Sequence, residues 1–102
     1  MFQDIVNIQD YLYNIRLNNV VTFFFAEWSN TCHEVYQLVI KMQEMYPNIK
    51  IFIIDVDYSA DIAEYIGINY VPTLLFYDNG KLEETIIGNN IATIKRAFIQ
   101  HS

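Results

Sequence analysis

The chain has 102 residues, of which 53% are hydrophobic and 16% aromatic, and its formal net charge at pH 7 is −6. This length accommodates one domain, and the apolar content is sufficient for a packed core, which excludes a disordered chain. The acidic balance disfavours nucleic acid as a partner because phosphate backbones repel it, and the apolar runs are too short to span a membrane. We therefore expect residues 1–102 to form one domain with no nucleic-acid or membrane partner, and a monomer by default.

The chain contains one cysteine, Cys32, and two histidines, His33 and His101. A single cysteine forms no intramolecular disulfide, and the first residues do not resemble a secretory signal because Asp4 and Asp10 interrupt them. We therefore expect a reducing, cytoplasmic location. Since the histidines are isolated and no glycine-rich phosphate loop is present, we expect no metal and no cofactor.

Strand-like and helical segments alternate in the first half of the chain. Phe2–Val6 predicts a short strand, and Val20–Ala26 predicts a strand buried on both faces. Between them, apolar residues recur with the spacing of a helix that ends near Asn18–Asn19: Ile8, Tyr11, Leu12 and Ile15. A second helical stripe follows Trp28 and stops at Pro47.

The second half predicts three more strands and two shorter helices. Ile49–Ile54 and Thr73–Tyr77 read as buried strands, and the Asn79–Gly80 turn leads into Leu82–Ile87. Ser59 or Asp61 opens a short helix that ends at Gly67. The last helix carries Ile91, Ile94 and Phe98 on its inward face.

The resulting order, βαβαβαββα, is typical of an α/β fold. A βαβ unit requires parallel strands with a right-handed crossover, whereas the Asn79–Gly80 hairpin requires an antiparallel pair. We therefore expect a mixed central sheet of about five strands flanked by four helices.

Three segments, in register along the chain, resemble the thioredoxin family. Phe23–Trp28 followed by Ser29-x-x-Cys32 is similar to the strand-to-helix junction that carries Trp-Cys-Gly-Pro-Cys in that family. Tyr70–Phe76 resembles the segment around the family's cis-proline, and Asp78–Lys81 with Gly88 resembles its hairpin and late glycine. The resemblance implies the thioredoxin fold along the entire chain.

The resemblance also implies a reaction that this chain has lost. In the family, the first cysteine of the motif is a thiolate at a helix N-terminus that attacks a substrate disulfide, and the second cysteine resolves the mixed disulfide. Ser29 stands at the first position. A serine hydroxyl forms no S–S bond and is not ionised at neutral pH without a dedicated base, so we expect no competent dithiol disulfide reductase.

Cys32 stands at the resolving position, and two interpretations of it remain open. It is either an inert, half-buried thiol that packs as a small hydrophobe, or a single reactive thiol. His33 follows directly, but adjacent helical residues diverge by about 100°, so we expect its ring to face solvent. Thr31 and Glu34 have the spacing of a capping box, which predicts that Thr31 caps the helix.

Two further positions depart from the family in the same direction. The resemblance places Phe23 where the family has a buried acid that accepts a proton from the second cysteine, and Ile53 where it often has a lysine partner. A buried acid–lysine pair costs desolvation energy. Apolar residues at both positions therefore indicate a core without proton transfer.

The resemblance implies that a substrate groove is retained. Its residues match positions where the family binds an extended segment next to the cis-proline: Trp28, Tyr70, Val71, Pro72 and Gly88. Tyr70 adds an aromatic wall to this groove. The alternative is structural, with Trp28 packed against the sheet and Pro72 shaping its loop.

Two functions and one artefact account for this pattern. The first function is a redox-degenerate module that binds a protein or an extended peptide in the groove. The alternative is a thiol-disulfide oxidoreductase or monothiol redox sensor, in which Cys32 forms a mixed disulfide with glutathione or a partner protein. The artefact is an engineered cysteine-to-serine change at Ser29, which the joint departures at Phe23 and Ile53 argue against.

Overall fold

The computed structural model describes residues 3–5 and 7–102, which contain five strands and four helices. The strands are β1 (Gln3–Asp4), β2 (Val20–Phe25), β3 (Lys50–Asp55), β4 (Thr73–Asp78) and β5 (Lys81–Ile87). The helices are α1 (Ile8–Asn14), α2 (Asn30–Met45), α3 (Ala60–Ile66) and α4 (Ile91–Gln100). Of the predicted first strand, Phe2 and Val6 lie outside the described residues.

The strands form one mixed sheet in the order β1-β3-β2-β4-β5. β3 pairs in parallel with β1 and β2, whereas β4 runs antiparallel to both β2 and β5. Phe25 lies opposite Asp55, and Phe24 lies opposite Thr73. The loops that follow β2, β3 and β5 and the loop that precedes β4 therefore meet at one end of the sheet. We call residues 26–29, 56–59, 68–72 and 88–90 the site end, and residues 15–19, 46–49 and 79–80 the hairpin end.

The side chains of β2 alternate between two cores, as the period of a strand requires. Val21, Phe23 and Phe25 pack in the cluster that includes residues of α2 and α4. Val20 and Phe24 pack in the cluster that includes residues of α1 and α3. Both faces of the sheet are thus covered by helices, and the predicted α/β thioredoxin fold is confirmed.

A buried hydrogen-bonded group joins α1 to the centre of the sheet. The hydroxyl of Tyr11 lies 3.1 Å from the Thr22 hydroxyl and 2.9 Å from the Tyr77 hydroxyl. Burial raises the pKa of Tyr11 and of Tyr77, so both phenols stay protonated at neutral pH. The three hydroxyls satisfy one another inside an otherwise apolar core, which removes the cost of burying them.

The first helix is shorter than the sequence predicts. α1 ends at Asn14 rather than near Asn18–Asn19. The reason is tertiary, because the carbonyl of Ile15 accepts the N–H of Gly80 at 2.9 Å and the carbonyl of Leu17 accepts that of Asn79 at 3.0 Å. These carbonyls bind the β4–β5 turn and are not available to extend the helix.

Two residues that the stripes place inward lie partly in solvent. Leu12 is 38% exposed and Ile91 is 41% exposed. Each lies at the edge of its helix's apolar face, where periodicity alone does not resolve whether a neighbouring element covers the side chain. Other members of the same stripes are fully buried, among them Tyr11, Ile94 and Phe98.

The predicted turn residues lie where the backbone needs them. Asn79 and Gly80 connect β4 to β5 with φ values of +53° and +86°, the combination that a type I′ hairpin turn requires. Gly67 ends α3 with a left-handed φ of +86°, and Ser59 is the N-cap residue of that helix. Within residues 3–5 and 7–102, no helix combines the length and apolar character needed to cross a membrane.

Candidate functional site

Ser29 is the N-cap residue of α2. Its backbone is extended, and its hydroxyl oxygen accepts the backbone N–H of Cys32 at 3.1 Å. The prediction that Thr31 caps this helix is wrong, because Thr31 already lies in the first turn, and the N-cap residue, which has a non-helical backbone and accepts an N–H of that turn, is Ser29. The serine thus occupies the helix N-terminus that would stabilise a thiolate at the same position.

The sulfur of Cys32 is fully buried. The side chain has no exposed surface and packs in the core with Val35 and Phe25. Its Sγ lies 3.5 Å from the backbone N–H of Ala26, which points at it as a donor. The half-buried thiol expected from the sequence is therefore more enclosed than predicted, and a substrate disulfide cannot reach it unless the structure opens.

The ring of His33 is committed to other groups. Its Nε2 lies 2.7 Å from the carbonyl oxygen of Glu27, which requires that this nitrogen carry the proton. The ring also stands edge-on to Phe25, with 5.2 Å between the centroids. The residue is exposed, as expected, but these contacts fix its ring against the loop that precedes α2.

Phe23 and Ile53 lie directly opposite each other on β2 and β3. Phe23 is fully buried and stands edge-on to Phe25 at 5.8 Å. Ile53 is partly buried and packs against the same core. The two positions at which the resemblance expects a proton-transfer couple therefore form an apolar contact that can neither accept nor donate a proton.

Trp28 stands out from the site end into solvent. Its side chain is 71% exposed, so the alternative that it packs against the sheet is wrong. The indole N–H donates a hydrogen bond of 2.9 Å to Oδ2 of Asp57. Asp57 is positioned in turn by Asp55, whose Oδ1 accepts the backbone N–H groups of Asp57 at 2.9 Å and Tyr58 at 3.1 Å. The sequence pattern does not distinguish these aspartates from solvated strand ends, because the contact between Asp57 and Trp28 joins residues 29 positions apart.

The segment around Pro72 is tied to the end of β5. The Val71–Pro72 peptide bond is cis. The carbonyl of Pro72 accepts the N–H of Gly88 at 3.0 Å, and the hydroxyl of Thr73 donates to the carbonyl of Tyr70 at 2.6 Å. Gly88 has a φ of +96°, and the space where a Cβ would lie is open. The backbone N–H and C=O of Val71 make no hydrogen bond with the rest of the described chain.

Two clefts lie beside Tyr70, whose side chain is 65% exposed. One, of about 330 Å³, is lined by Trp28, Val56 and Val71, and the other, of about 410 Å³, by residues that include Tyr65, Thr73 and Ile87. Ile68, Asn69 and Tyr70 line both clefts. The structure thus places Trp28, Tyr70 and Val71 around one surface cleft. Pro72, which follows Val71, is buried, and Gly88, bonded to it, lines neither cleft. Cys32 lies in the core.

A third groove, of about 440 Å³, lies between α2 and α4. Met42, Met45, Ile91 and Ile99 are among the residues that line it. It contains none of the site residues that the sequence predicts, because a groove between two helices depends on their packing and leaves no signal in either helix alone.

No three His, Cys, Asp or Glu side chains among residues 3–5 and 7–102 are arranged to hold a metal ion.

Comparison with known proteins gives one consistent result. A family model described as thioredoxin matches residues 4–100. Thioredoxin-1 of Saccharomyces cerevisiae is 36% identical over 79 residues, which cover 78% of this chain and 77% of that protein. The thioredoxin of Malassezia sympodialis is 31% identical over 85 residues, which cover 81% of each chain. The solved structure of oxidized mitochondrial thioredoxin 3 from S. cerevisiae matches with a TM-score of 0.90 at 26% identity, over 97% of this chain and 94% of that chain.

Proposed function

This chain belongs to the thioredoxin family, and we propose that it is a redox-degenerate member that binds an extended segment of a partner protein in the groove beside Pro72. The observation that carries the proposal is the geometry at the start of α2. Ser29 occupies the place of the attacking thiol. Cys32 is the one cysteine in the chain, and its sulfur is enclosed in the core. Dithiol exchange begins with attack by an accessible thiolate, and this site offers none.

The groove supports binding for three reasons. Trp28 and Tyr70 present large exposed aromatic surfaces beside clefts that a side chain can fill. The backbone N–H and C=O of Val71 are unpaired within the described residues and can pair with an extended backbone, as in strand addition. The bond from Gly88 to Pro72 holds the segment in place before a partner arrives, which lowers the entropy that binding must offset.

The alternative function uses Cys32 as a single thiol that forms a mixed disulfide with glutathione or a partner protein. A thiolate must reach a substrate sulfur for that reaction, and the burial of Cys32 opposes it. We further propose that residues 1–102 act as one thioredoxin-like domain in a reducing compartment, where a lone thiol stays reduced.

Insulin-disulfide reduction tests the loss of dithiol chemistry. We expect this protein, supplied with a dithiol reductant, to precipitate insulin at the rate of the reductant alone, since no nucleophilic sulfur is accessible. Thioredoxin-1 of S. cerevisiae, assayed in parallel, is the active control. Turnover close to that of the control would refute the proposal.

Thiol titration with an aromatic disulfide reagent separates the two functions. We expect Cys32 to stay unreacted in the native protein and to react once on addition of denaturant, because its sulfur is exposed only after unfolding. A fast reaction in the native protein that strengthens as the pH rises would favour the monothiol alternative instead.

A further inference from the structure

The basic side chains of this chain lie outside the two clefts beside Tyr70. The chain has six basic residues: Arg16, Lys41, Lys50, Lys81, Lys95 and Arg96. Lys50 and Lys81 begin β3 and β5 at the hairpin end, and Arg16 lies against the turn at Gly80. Residues 17–40 and 51–80, which include every groove residue except Gly88, contain no lysine or arginine.

Carboxylates occupy the site end. Glu27 precedes Trp28 in the chain, and Asp57 accepts the hydrogen bond from its indole N–H. Both carboxylates are exposed. Asp61 and Glu64 are exposed on α3, the helix that also carries Tyr65 of the second cleft. Because no basic side chain lines either cleft, the fields of these carboxylates make the groove a region of negative potential.

The aromatic residues of the groove are suited to cations as well as to apolar groups. Trp28 and Tyr70 line the same cleft, and both are largely exposed. The hydrogen bond to Asp57 holds the indole at the wall of that cleft. A lysine or arginine that lies over an indole face gains cation–π attraction. The carboxylate of Asp57, bonded to the edge of this indole, is close enough to pair with the same cation.

We propose that the groove takes an extended, basic segment of a partner protein, in which a lysine or arginine side chain lies on Trp28 and pairs with Asp57. The inference rests on the function proposed above and names the class of segment that the groove accepts. A neutral or acidic segment would cover Asp57 without pairing its charge, and an unpaired buried charge is costly.

Three peptides of about nine residues, which extend over about 30 Å at about 3.3 Å per residue, test this proposal. Valine alternates with lysine in the first, with glutamine in the second and with glutamate in the third. Trp28 is the only tryptophan in the chain, so its fluorescence reports occupation of the groove directly. We expect the lysine peptide to bind roughly tenfold more tightly than the glutamine peptide, with its affinity falling as salt shortens the range of the electrostatic attraction.

Two double variants distinguish the groove from the net charge of the whole protein. Glu27→Gln with Asp57→Asn removes two charges beside Trp28 and preserves the shape of both side chains. Glu44→Gln with Glu83→Gln removes two exposed charges away from the groove residues and is the matched control. We expect the first variant to weaken the lysine peptide roughly tenfold and the second to change its affinity less than about twofold.

Each other outcome has a definite meaning. Equal affinity for the lysine and glutamine peptides would overturn the inference and leave the binding function in place. Equal weakening by both double variants would also overturn it, since net charge and not the groove would then attract the peptide. Failure of all three peptides to bind would contradict the binding function itself.

Discussion

The hydroxyl of Ser29 and the sulfur of Cys32 have different structural roles. The hydroxyl accepts a backbone N–H at the start of α2, whereas the sulfur fills space in the core. An N-cap serine stabilises a helix because it pairs one of the N–H groups that the first turn leaves free. At the scale of single residues, then, the degenerate motif has a structural role that does not depend on redox chemistry.

Replacing Ser29 tests this role. We expect Ser29→Ala to lower the free energy of unfolding by about 1 kcal/mol, the usual cost of removing an N-cap side chain. Thr31→Ala is the control, with an expected change within about 0.5 kcal/mol because its side chain does not cap the helix. Urea unfolding of the two variants and the parent measures both values. A larger loss for Thr31→Ala than for Ser29→Ala would restore the capping box that the sequence suggests.

At the scale of elements, β5 and α4 are joined by a charged group at Glu84. Both terminal nitrogens of the Arg96 guanidinium, Nη1 and Nη2, donate to its carboxylate, and Nε2 of His101 lies 2.8 Å from Oε1. The hydrogen bonds from Arg96, assisted by His101, lower the pKa of Glu84 from 4.5 to about 2. The folded protein therefore holds this carboxylate ionised over a range of pH in which the unfolded chain would protonate it.

The sign of the pH dependence follows from that shift. Because the pKa of Glu84 is lower in the folded state, its stabilising contribution is complete above the unfolded value of 4.5 and disappears as the pH falls towards 2. We expect Glu84→Gln to lower the free energy of unfolding at about pH 5 and to lower it less at about pH 3. Denaturant unfolding at the two values measures the difference.

Glu83→Gln is the control for this prediction. Glu83 is the exposed neighbour on β5, and surface substitutions of this kind change stability little. A pH dependence for Glu83→Gln as large as that for Glu84→Gln would mean that overall charge, and not the contact with α4, is responsible.

At the scale of the whole molecule, dithiol chemistry requires groups from three elements. The resemblance assigns the attacking thiol to the start of α2 and the proton-transfer couple to β2 and β3, and Ser29, Phe23 and Ile53 now stand at those places. A single substitution therefore restores one part of the reaction and leaves the others missing.

We expect Ser29→Cys to recover only slow insulin reduction. The new thiol would lie at the N-terminus of α2, which stabilises a thiolate. Phe23 and Ile53 provide no proton acceptor, however, and general acid–base assistance typically raises a rate by on the order of a hundredfold or more. The rate, compared with that of Thioredoxin-1 of S. cerevisiae, is expected to be lower by about that factor. A rate equal to that of the yeast protein would show that the apolar pair at these positions does not limit the chemistry, and Ser29→Ala is the negative control.

Some features of this molecule follow from local sequence patterns. The continuous apolar run of β2, the Asn79–Gly80 turn and the glycine that ends α3 are each determined within a few residues, and all three were predicted. The end of α1 and the N-cap of α2 were not, because they depend on which hydrogen bonds the rest of the fold makes available. The carbonyl of Ile15 accepts an N–H of the β4–β5 turn, and α2 begins two residues earlier than the capping box predicts, with Ser29 and not Thr31 as its N-cap residue.

The family, the order of the elements and the serine in place of the attacking cysteine can all be read from the chain, because they depend on residue identity and on spacing along it. The enclosure of Cys32, the exposure of Trp28 and its hydrogen bond to Asp57 come from the three-dimensional fold, as does the absence of basic side chains from the lining of the clefts. Burial, exposure and electric field are sums over neighbours in space, and most of those neighbours are distant in sequence.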